Sequence, residues 1–217
     1  MKPIHQMIEE QVRRWEILRR EKTATKTGPV ITLSREPGSG GRHVAQIVAD
    51  RLGLDYFHQE LINAMAQNAD TSTRVVRTLD ERGLSMLEDW VSAAISDRHL
   101  WPDEVSRMLM QVLGTIGRHG NAIIVGRGAN FVLPPENRFR VRIIAPLEKR
   151  VNCVAEVYGV SKDEAKRRVL RTDSDRRAFV RKYFHSDIRD PNNYDMVLNT
   201  GTLSVESAAT AICSAVG

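Results

Sequence analysis

Cysteine is scarce in this 217-residue chain, which has only Cys153 and Cys213. Both fall within helical patterns and make no metal-ligand spacing. That excludes a disulfide scaffold and a cysteine-built metal site, and leaves two small reduced core residues. No apolar run approaches the ~20 residues of a membrane-spanning helix, so no membrane partner is expected. The first residues carry Glu9 and Glu10 among arginines and have no apolar core. A signal or transit peptide is not built that way, so a cytoplasmic protein is expected. No internal repeat or low-complexity tract is present. Aromatics make up only 6% of the residues. There is no RNA-reading aromatic platform and no basic tail, so nucleic acid is not an expected partner despite the net charge of +5. Lysine is the last scarcity: of 32 basic residues, seven are Lys and 25 are Arg. Arginine forks match phosphate oxygens bidentately, which suits phosphate handling; a high-GC genome would give the same bias.

With 41% hydrophobic and 27% charged residues, the length suits one substantial α/β core with a helical insertion. Its organising stretch is Val30-Ile31-Thr32-Leu33-Ser34-Arg35-Glu36-Pro37-Gly38-Ser39-Gly40-Gly41-Arg42-His43. A β-branched run leads into three glycines within four positions. Val44, Ala45, Ile47, Val48 and Leu52 then recur at helical spacing. Strand, glycine turn and helix present several backbone N–H groups to one anion, and the helix dipole adds to them. Arg42 follows the last glycine, where a P-loop carries its phosphate-gripping lysine. A strict G-x-x-x-x-G-K-[ST] ending on Gly41 would need Gly at 36, Lys at 42 and Ser or Thr at 43. The chain has Glu36, Arg42 and His43. A dinucleotide fingerprint starting at Gly38 fails at His43.

Residues 4–20 form an amphipathic helix, with Ile4, Met7, Ile8, Val12, Trp15 and Leu18 on one face. Glu9–Arg13, Glu10–Arg14 and Glu16–Arg20 are spaced for i,i+4 pairs. Thr23 to Gly28 is a polar linker, so the apolar face is covered either by its own domain or by a second subunit in a homodimer. Strands are expected at 54–57, 122–125, 140–144 and 194–198, besides the first. Helices are expected at 58–67, 74–82, 84–96, 103–119, from 146 to before Gly159, at 161–185 and at 204–216. Trp101-Pro102 separates two of them. Ser161 to Glu164 reads as a capping box. Thr172 to Asp175 are poor helix formers and predict a break there. Alternating strands and helices predict a parallel sheet covered on both faces.

Four segments, ITLSREPGSGGR (31–42), LGLDYFHQELI (52–62), IIVGRGANFVL (123–133) and DPNNYDMVLNTGTLS (190–204), resemble the cytidylate kinase-like family of P-loop nucleoside monophosphate kinases. With their spacing the likeness covers roughly 29–216. The resemblance implies a P-loop kinase-type α/β fold: a five-stranded parallel sheet flanked by helices, with a helical acceptor-binding region and an arginine-bearing lid. Residues 1–28 would then be an N-terminal helix and linker, and 29–217 a kinase-like domain with its acceptor region at 58–120 and its lid at 161–190. The implied reaction moves the ATP γ-phosphoryl group to a nucleoside monophosphate, with Mg2+. Gly38, Ser39, Gly40, Gly41, Arg42 and His43 would cradle the donor phosphates, together with Arg176 and Arg181. Arg42, Arg127, Arg171 and Arg177 would act on the reacting groups.

The chain also departs from the family. Bacterial cytidylate kinases carry Asp-Gly-Arg-Asp where this chain has Val125-Gly126-Arg127-Gly128. His43 stands in place of a metal-binding hydroxyl, and His58 in place of an aspartate. Glu36 is the nearest spare carboxylate for a metal, whose ligands the sequence leaves unknown. Two other readings stay open: a P-loop module that binds a nucleotide without turnover, and a kinase of a nucleic-acid 5′ end or another phosphorylated acceptor.

Overall fold

The structure, a computed structural model, describes residues 2–20, 28–98, 104–134 and 138–216. Helix α1 spans Ile4–Arg20, and β1 (Val30–Arg35) leads through the glycine loop into α2 (Gly41–Leu52). After β2 (Asp55–Phe57) come four helices: α3 (Gln59–Gln67), α4 (Ala69–Val76), α5 (Glu81–Arg98) and α6 (Glu104–His119). β3 (Ala122–Val125), α7 (Ala129–Val132), β4 (Phe139–Ile144), α8 (Leu147–Tyr158) and α9 (Lys162–Phe184) follow. A 3-10 turn at Pro191–Asn193, β5 (Met196–Asn199) and α10 (Val205–Val216) complete the described chain.

The five strands pair in parallel in the order β2-β3-β1-β4-β5. Every residue of β1 and β3 is buried, as a strand covered on both faces requires. On one face Ile31, Leu33, Ile123 and Val125 pack on Val44 and Val48 of α2 and Ile212 of α10. On the other, Val30, Phe57 and Ile124 meet α3, α4, α5 and α6. The chain leaves β1 towards one neighbour and β3 towards the other, so a crevice opens above their carboxyl ends. In doubly wound sheets that switch point is where ligands bind.

Helix α1 lays Ile8, Val12 and Trp15 on the domain's own core. The Trp15 ring stacks on His119 at 4.4 Å between centroids and lies 5.9 Å from Phe57. The α1 residues Ile4, Ile17 and Leu18 stay exposed. The expected i,i+4 pairs give way to longer-range partners: Glu9 accepts from both ends of Arg74, Glu10 pairs with Lys2, and Arg14 pairs with Asp55. Three expected boundaries shift. The helix expected at 74–82 is replaced by α4 ending at Val76 and α5 starting at Glu81, where the Asp80 carboxylate accepts from the Gly83 N–H (2.7 Å). β5 begins at Met196, since Tyr194 donates to the Ile188 carbonyl and Asp195 binds Arg140. The break expected at Thr172 to Asp175 does not occur: α9 runs through it, with Asp173 held by Arg150 at 2.7 Å instead of competing for the backbone. Only Gly28 of the linker, and neither residue of Trp101-Pro102, lies within the described residues.

Candidate active site

Gly40 sits in the left-handed region (φ +76°) as the residue before α2, and no side chain caps that helix. The first N–H groups of a helix lack intrahelical partners. Here they open onto the loop, with the positive end of the dipole behind them. The loop is already braced. The Ser39 hydroxyl donates to the Glu36 carbonyl (2.8 Å), and the Thr200 hydroxyl donates to the Ser39 carbonyl (2.7 Å). A Cβ at Gly38 would stand 2.4 Å from the Arg150 carbonyl oxygen, so α8 presses directly on the loop.

The structure moves the motif's register by one. In a P-loop the glycines form the turn and the lysine opens the helix. Counted from the capping Gly40, the first-glycine position holds Arg35, the lysine position holds Gly41, and the hydroxyl position holds Arg42. The Arg42 side chain is exposed and turned to Glu60 on α3. Burial pushes the Glu60 pKa up, but its own backbone N–H, Arg42 and His58 outweigh that and hold it down to about 2. His43 is exposed. His58 caps α3 by accepting from the Leu61 N–H, a structural role.

Two clefts meet at Arg35 and Arg176. The larger, about 350 Å3, lies over the β1/β3 crevice and is lined by Gln59, Gly126 to Gly128, Asn130, Phe131 and the α9 residues Asp175, Arg176 and Phe179. Gly126, Arg127 and Gly128 all have positive φ (88°, 55° and 68°), which aims the Arg127 side chain into the crevice. For a non-glycine residue that conformation costs roughly 1–2 kcal/mol. Burial lowers the Arg127 pKa, an effect Glu60 partly offsets. Arg127 Nε and Asn130 Nδ2 are buried and have no hydrogen-bond partner among the described residues. Orphaned buried donors are costly, and a ligand would relieve both. Phe131 and Phe179 supply flat apolar walls.

The smaller cleft, about 230 Å3, lies beside the loop and is lined by Arg35, Arg142, Arg150, Arg176, Arg177 and Arg189 with only two carboxylates, Glu36 and Asp173. Arg142 is buried on β4, donating to the Ser34 hydroxyl (2.9 Å) with Glu36 at 3.8 Å. Arg150 donates to the Ala145 carbonyl and to Asp173 (2.7 Å) and lies 3.4 Å from Glu36. Glu36 also accepts from the Ala145 N–H (3.0 Å). Its carboxylate is thus committed to braced arginines, which corrects the idea that it is spare for a metal. Among the described residues no group of three or more His, Cys, Asp or Glu could hold a metal ion. A nucleotide-bound Mg2+ needs no such cluster, since substrate phosphates and waters hold it with one or two carboxylates, and Asp175 lines the larger cleft.

Of the arginines singled out from sequence, Arg127, Arg176 and Arg177 are brought to the clefts. Arg176 Nη1 donates to the Arg35 carbonyl (2.6 Å), tying α9 to the end of β1. Asp173, Arg176, Arg177 and Val180 form the inward stripe at i, i+3, i+4 and i+7. Arg171, about 160° round the helix from Asp173, and Arg181, a turn past the clefts, are exposed. Sequence reasoning passed over Arg35, Arg142 and Arg150. Arg142 had left a trace, as a charge inside the buried strand run Phe139–Ile144.

The profile of the cytidylate kinase-like family matches residues 30–202. The cytidylate kinase of Ignicoccus hospitalis is 27% identical over 184 residues, covering 84% of this chain and 96% of the relative. That of Pyrococcus horikoshii is 27% identical over 191 residues, covering 86% and 88%. A crystal structure of an uncharacterised protein from Eubacterium ventriosum shares the fold, with a TM-score of 0.70, 20% identity and coverage of 87% of this chain and 97% of that one. Since the profile runs from β1 to the turn after β5, over most of the described domain, the chain belongs to the cytidylate kinase-like family.

Proposed function

We propose that this protein is an ATP-dependent nucleoside monophosphate kinase with CMP or dCMP as the default acceptor. The observation that carries this reading is the pair of buried, unpartnered donors, Arg127 Nε and Asn130 Nδ2, in an aromatic-walled cleft that opens into an arginine-lined one beside the glycine loop. A nucleoside monophosphate has the matching parts. Its phosphate answers Arg127, and its base answers Phe131, Phe179 and the Asn130 amide. The donor phosphates lie at the uncapped start of α2. Phosphoryl transfer asks the protein chiefly for positioning and charge neutralisation. The loop, Arg176 from α9 and the remaining arginines supply both. Helix α9 lines both clefts. Names carried by relatives at 27% identity agree with this reading.

Mg2+ would arrive on the ATP phosphates, with Asp175 the carboxylate lining the larger cleft. The second reading, a nucleotide-binding module without turnover, rests on Val125 and Gly128 standing where bacterial cytidylate kinases carry aspartates. One assay separates them: phosphoryl transfer from ATP, in buffer containing Mg2+, to CMP, dCMP, UMP and AMP, with products resolved by chromatography. Formation of CDP or dCDP is the expected result. Tight ATP binding with no nucleoside diphosphate formed from any acceptor would overturn the kinase reading.

A further inference from the structure

The glycine loop carries a buried cation at its strand end, Arg35, where a P-loop carries its lysine at the helix end. Gly41, the first residue of α2, has no side chain, and a Cβ built there would lie 2.6 Å from Arg35 Cβ and 3.3 Å from Arg35 Cγ. The space a lysine stem would need at the start of the helix is filled by the stem of Arg35. At its far end the Arg35 guanidinium lies where a second glycine yields to it: a Cβ at Gly126 would stand 2.5 Å from Arg35 Nη1. Arg35 is 6% exposed, and its side-chain partner is the neutral Gln59 (3.2 Å). No carboxylate of the described residues lies within ion-pair distance of it, whereas buried Arg142 and Arg150 both have Glu36, and Arg150 also Asp173. Arg35 also lines both clefts. A buried guanidinium without a counter-charge is expensive unless an anion arrives.

We infer that Arg35 and Gly41 are an exchanged pair, in which Arg35 holds the phosphoryl group between donor and acceptor and Gly41 exists to let it through. The inference rests on the phosphate-transfer reading for the identity of the anion. The ligand chemistry required is a phosphate at the junction of the clefts, within reach of the guanidinium fork and of the α2 N–H groups. Arg42, paired with Glu60, would contribute from outside the loop. Burial first, then the neighbouring Arg176 and Arg42, push the Arg35 pKa down to about 9, which still leaves the group charged at neutral pH.

The test uses the full chain and two readouts: calorimetric binding of inorganic tripolyphosphate, and phosphoryl transfer from ATP. Circular dichroism and thermal unfolding verify each variant. A charge-assisted contact of this kind is worth about ten- to a hundredfold in affinity. Arg35→Gln is expected to lose at least that in tripolyphosphate binding, and more than Arg42→Ala loses. Arg35→Lys should retain part of the affinity. Gly41→Lys alone should be damaging, because two stems compete for one space. The double exchange Arg35→Gly with Gly41→Lys should recover binding towards the parent. Parent-like binding by Arg35→Gln, or a Gly41→Lys variant that binds better than the double exchange, overturns the inference. If Arg35→Gln does not fold, the Arg35→Lys and double-exchange variants decide it by the same criteria. Parent chain that binds tripolyphosphate through Arg35 but transfers no phosphoryl group would sink the kinase reading and leave this inference standing. Transfer at the parent rate by Arg35→Gln would do the reverse.

Discussion

Gly128→Ala puts a number on the crowding that removes the family's carboxylate from the crevice. Gly128 has φ +68°, and a Cβ there would lie 2.3 Å and 2.5 Å from two ring carbons of Phe184. The backbone conformation alone costs an L-residue roughly 1–2 kcal/mol. The ring has little room to retreat, since it stacks on Phe131 at 4.9 Å and meets Phe179 edge-on at 6.0 Å. Overpacking of that kind costs about 1–3 kcal/mol, for a total of about 2–5 kcal/mol. Gly53 and Gly159 supply the internal control. Both have positive φ (64° and 61°), and a Cβ at either meets nothing within 4 Å, so Gly53→Ala and Gly159→Ala carry the backbone cost alone. Urea denaturation of the three variants, compared by midpoint at constant slope, separates the steric part. Adding Phe184→Ala to Gly128→Ala should return the steric part and leave the backbone part, a coupling that a double-mutant cycle reads directly. If Gly128→Ala costs no more than Gly53→Ala, the packing of Phe184 does not explain the missing aspartate, and the reasoning fails.

Three other outcomes are expected. Asn130→Ala should raise the acceptor KM with little change in the KM for ATP, and the parent's kcat/KM for CMP over UMP should stay within about tenfold, because an amide offers a donor at one end and an acceptor at the other and can serve either pyrimidine; a thousandfold preference would place base reading elsewhere. Arg176→Ala should lower kcat/KM by about a hundredfold or more, the scale of a lost phosphate clamp, and well beyond the loss from Arg171→Ala, since only the former side chain reaches the clefts; equal losses would refute the assigned faces of α9. Burial, then the nearby Arg118, depress the His119 pKa from 6.5 to about 4, so the folded state binds fewer protons than the unfolded one; stability should be full above pH 6.5, fall by up to about 3 kcal/mol between pH 6.5 and 4 and flatten below, and a His119→Gln variant that keeps the same slope would refute this source.

Element by element, the fold was legible wherever one period dominated. Val30 to Leu33 and Ala122 to Val125 stand out because burial on both faces leaves one reading, and the ends of the 161–185 helix stand out by its capping box and spacing, though not its continuity. The missed boundaries share a cause in local side-chain chemistry. Asp80 reaches Gly83 and moves a helix start; Asp173 finds Arg150 from another helix and removes the reason for a break. The register of the glycine loop was ambiguous by one residue because Gly40 and Gly41 are adjacent, and only the left-handed conformation of Gly40 says which of them ends the turn. Arg127, Arg176 and Arg177 were indicated by the family resemblance, whereas Arg35 was hidden in plain view inside the motif. Its role depends on where its stem goes, and that is fixed by the absence of side chains at Gly41 and Gly126, 85 positions apart in the sequence.

The way charge is paired in the site separates framework from function. Glu36 and Asp173 are spent on Arg142 and Arg150, and those two arginines tie β1, β4, α8 and α9 together beneath the clefts. Removing Glu36 would leave the buried Arg142 guanidinium without its counter-charge, a loss of several kcal/mol by the usual asymmetry of buried pairs, whereas Arg150 would keep Asp173. Among the described residues Arg35 and Arg127 have no carboxylate partner, and Arg176 has a hydrogen bond only to a backbone carbonyl. A protein that stabilised itself by burying arginine would pair Arg35 as it pairs Arg142 and Arg150. Selection for an anionic ligand leaves some arginines unpaired, and the three left over surround the junction of the two clefts.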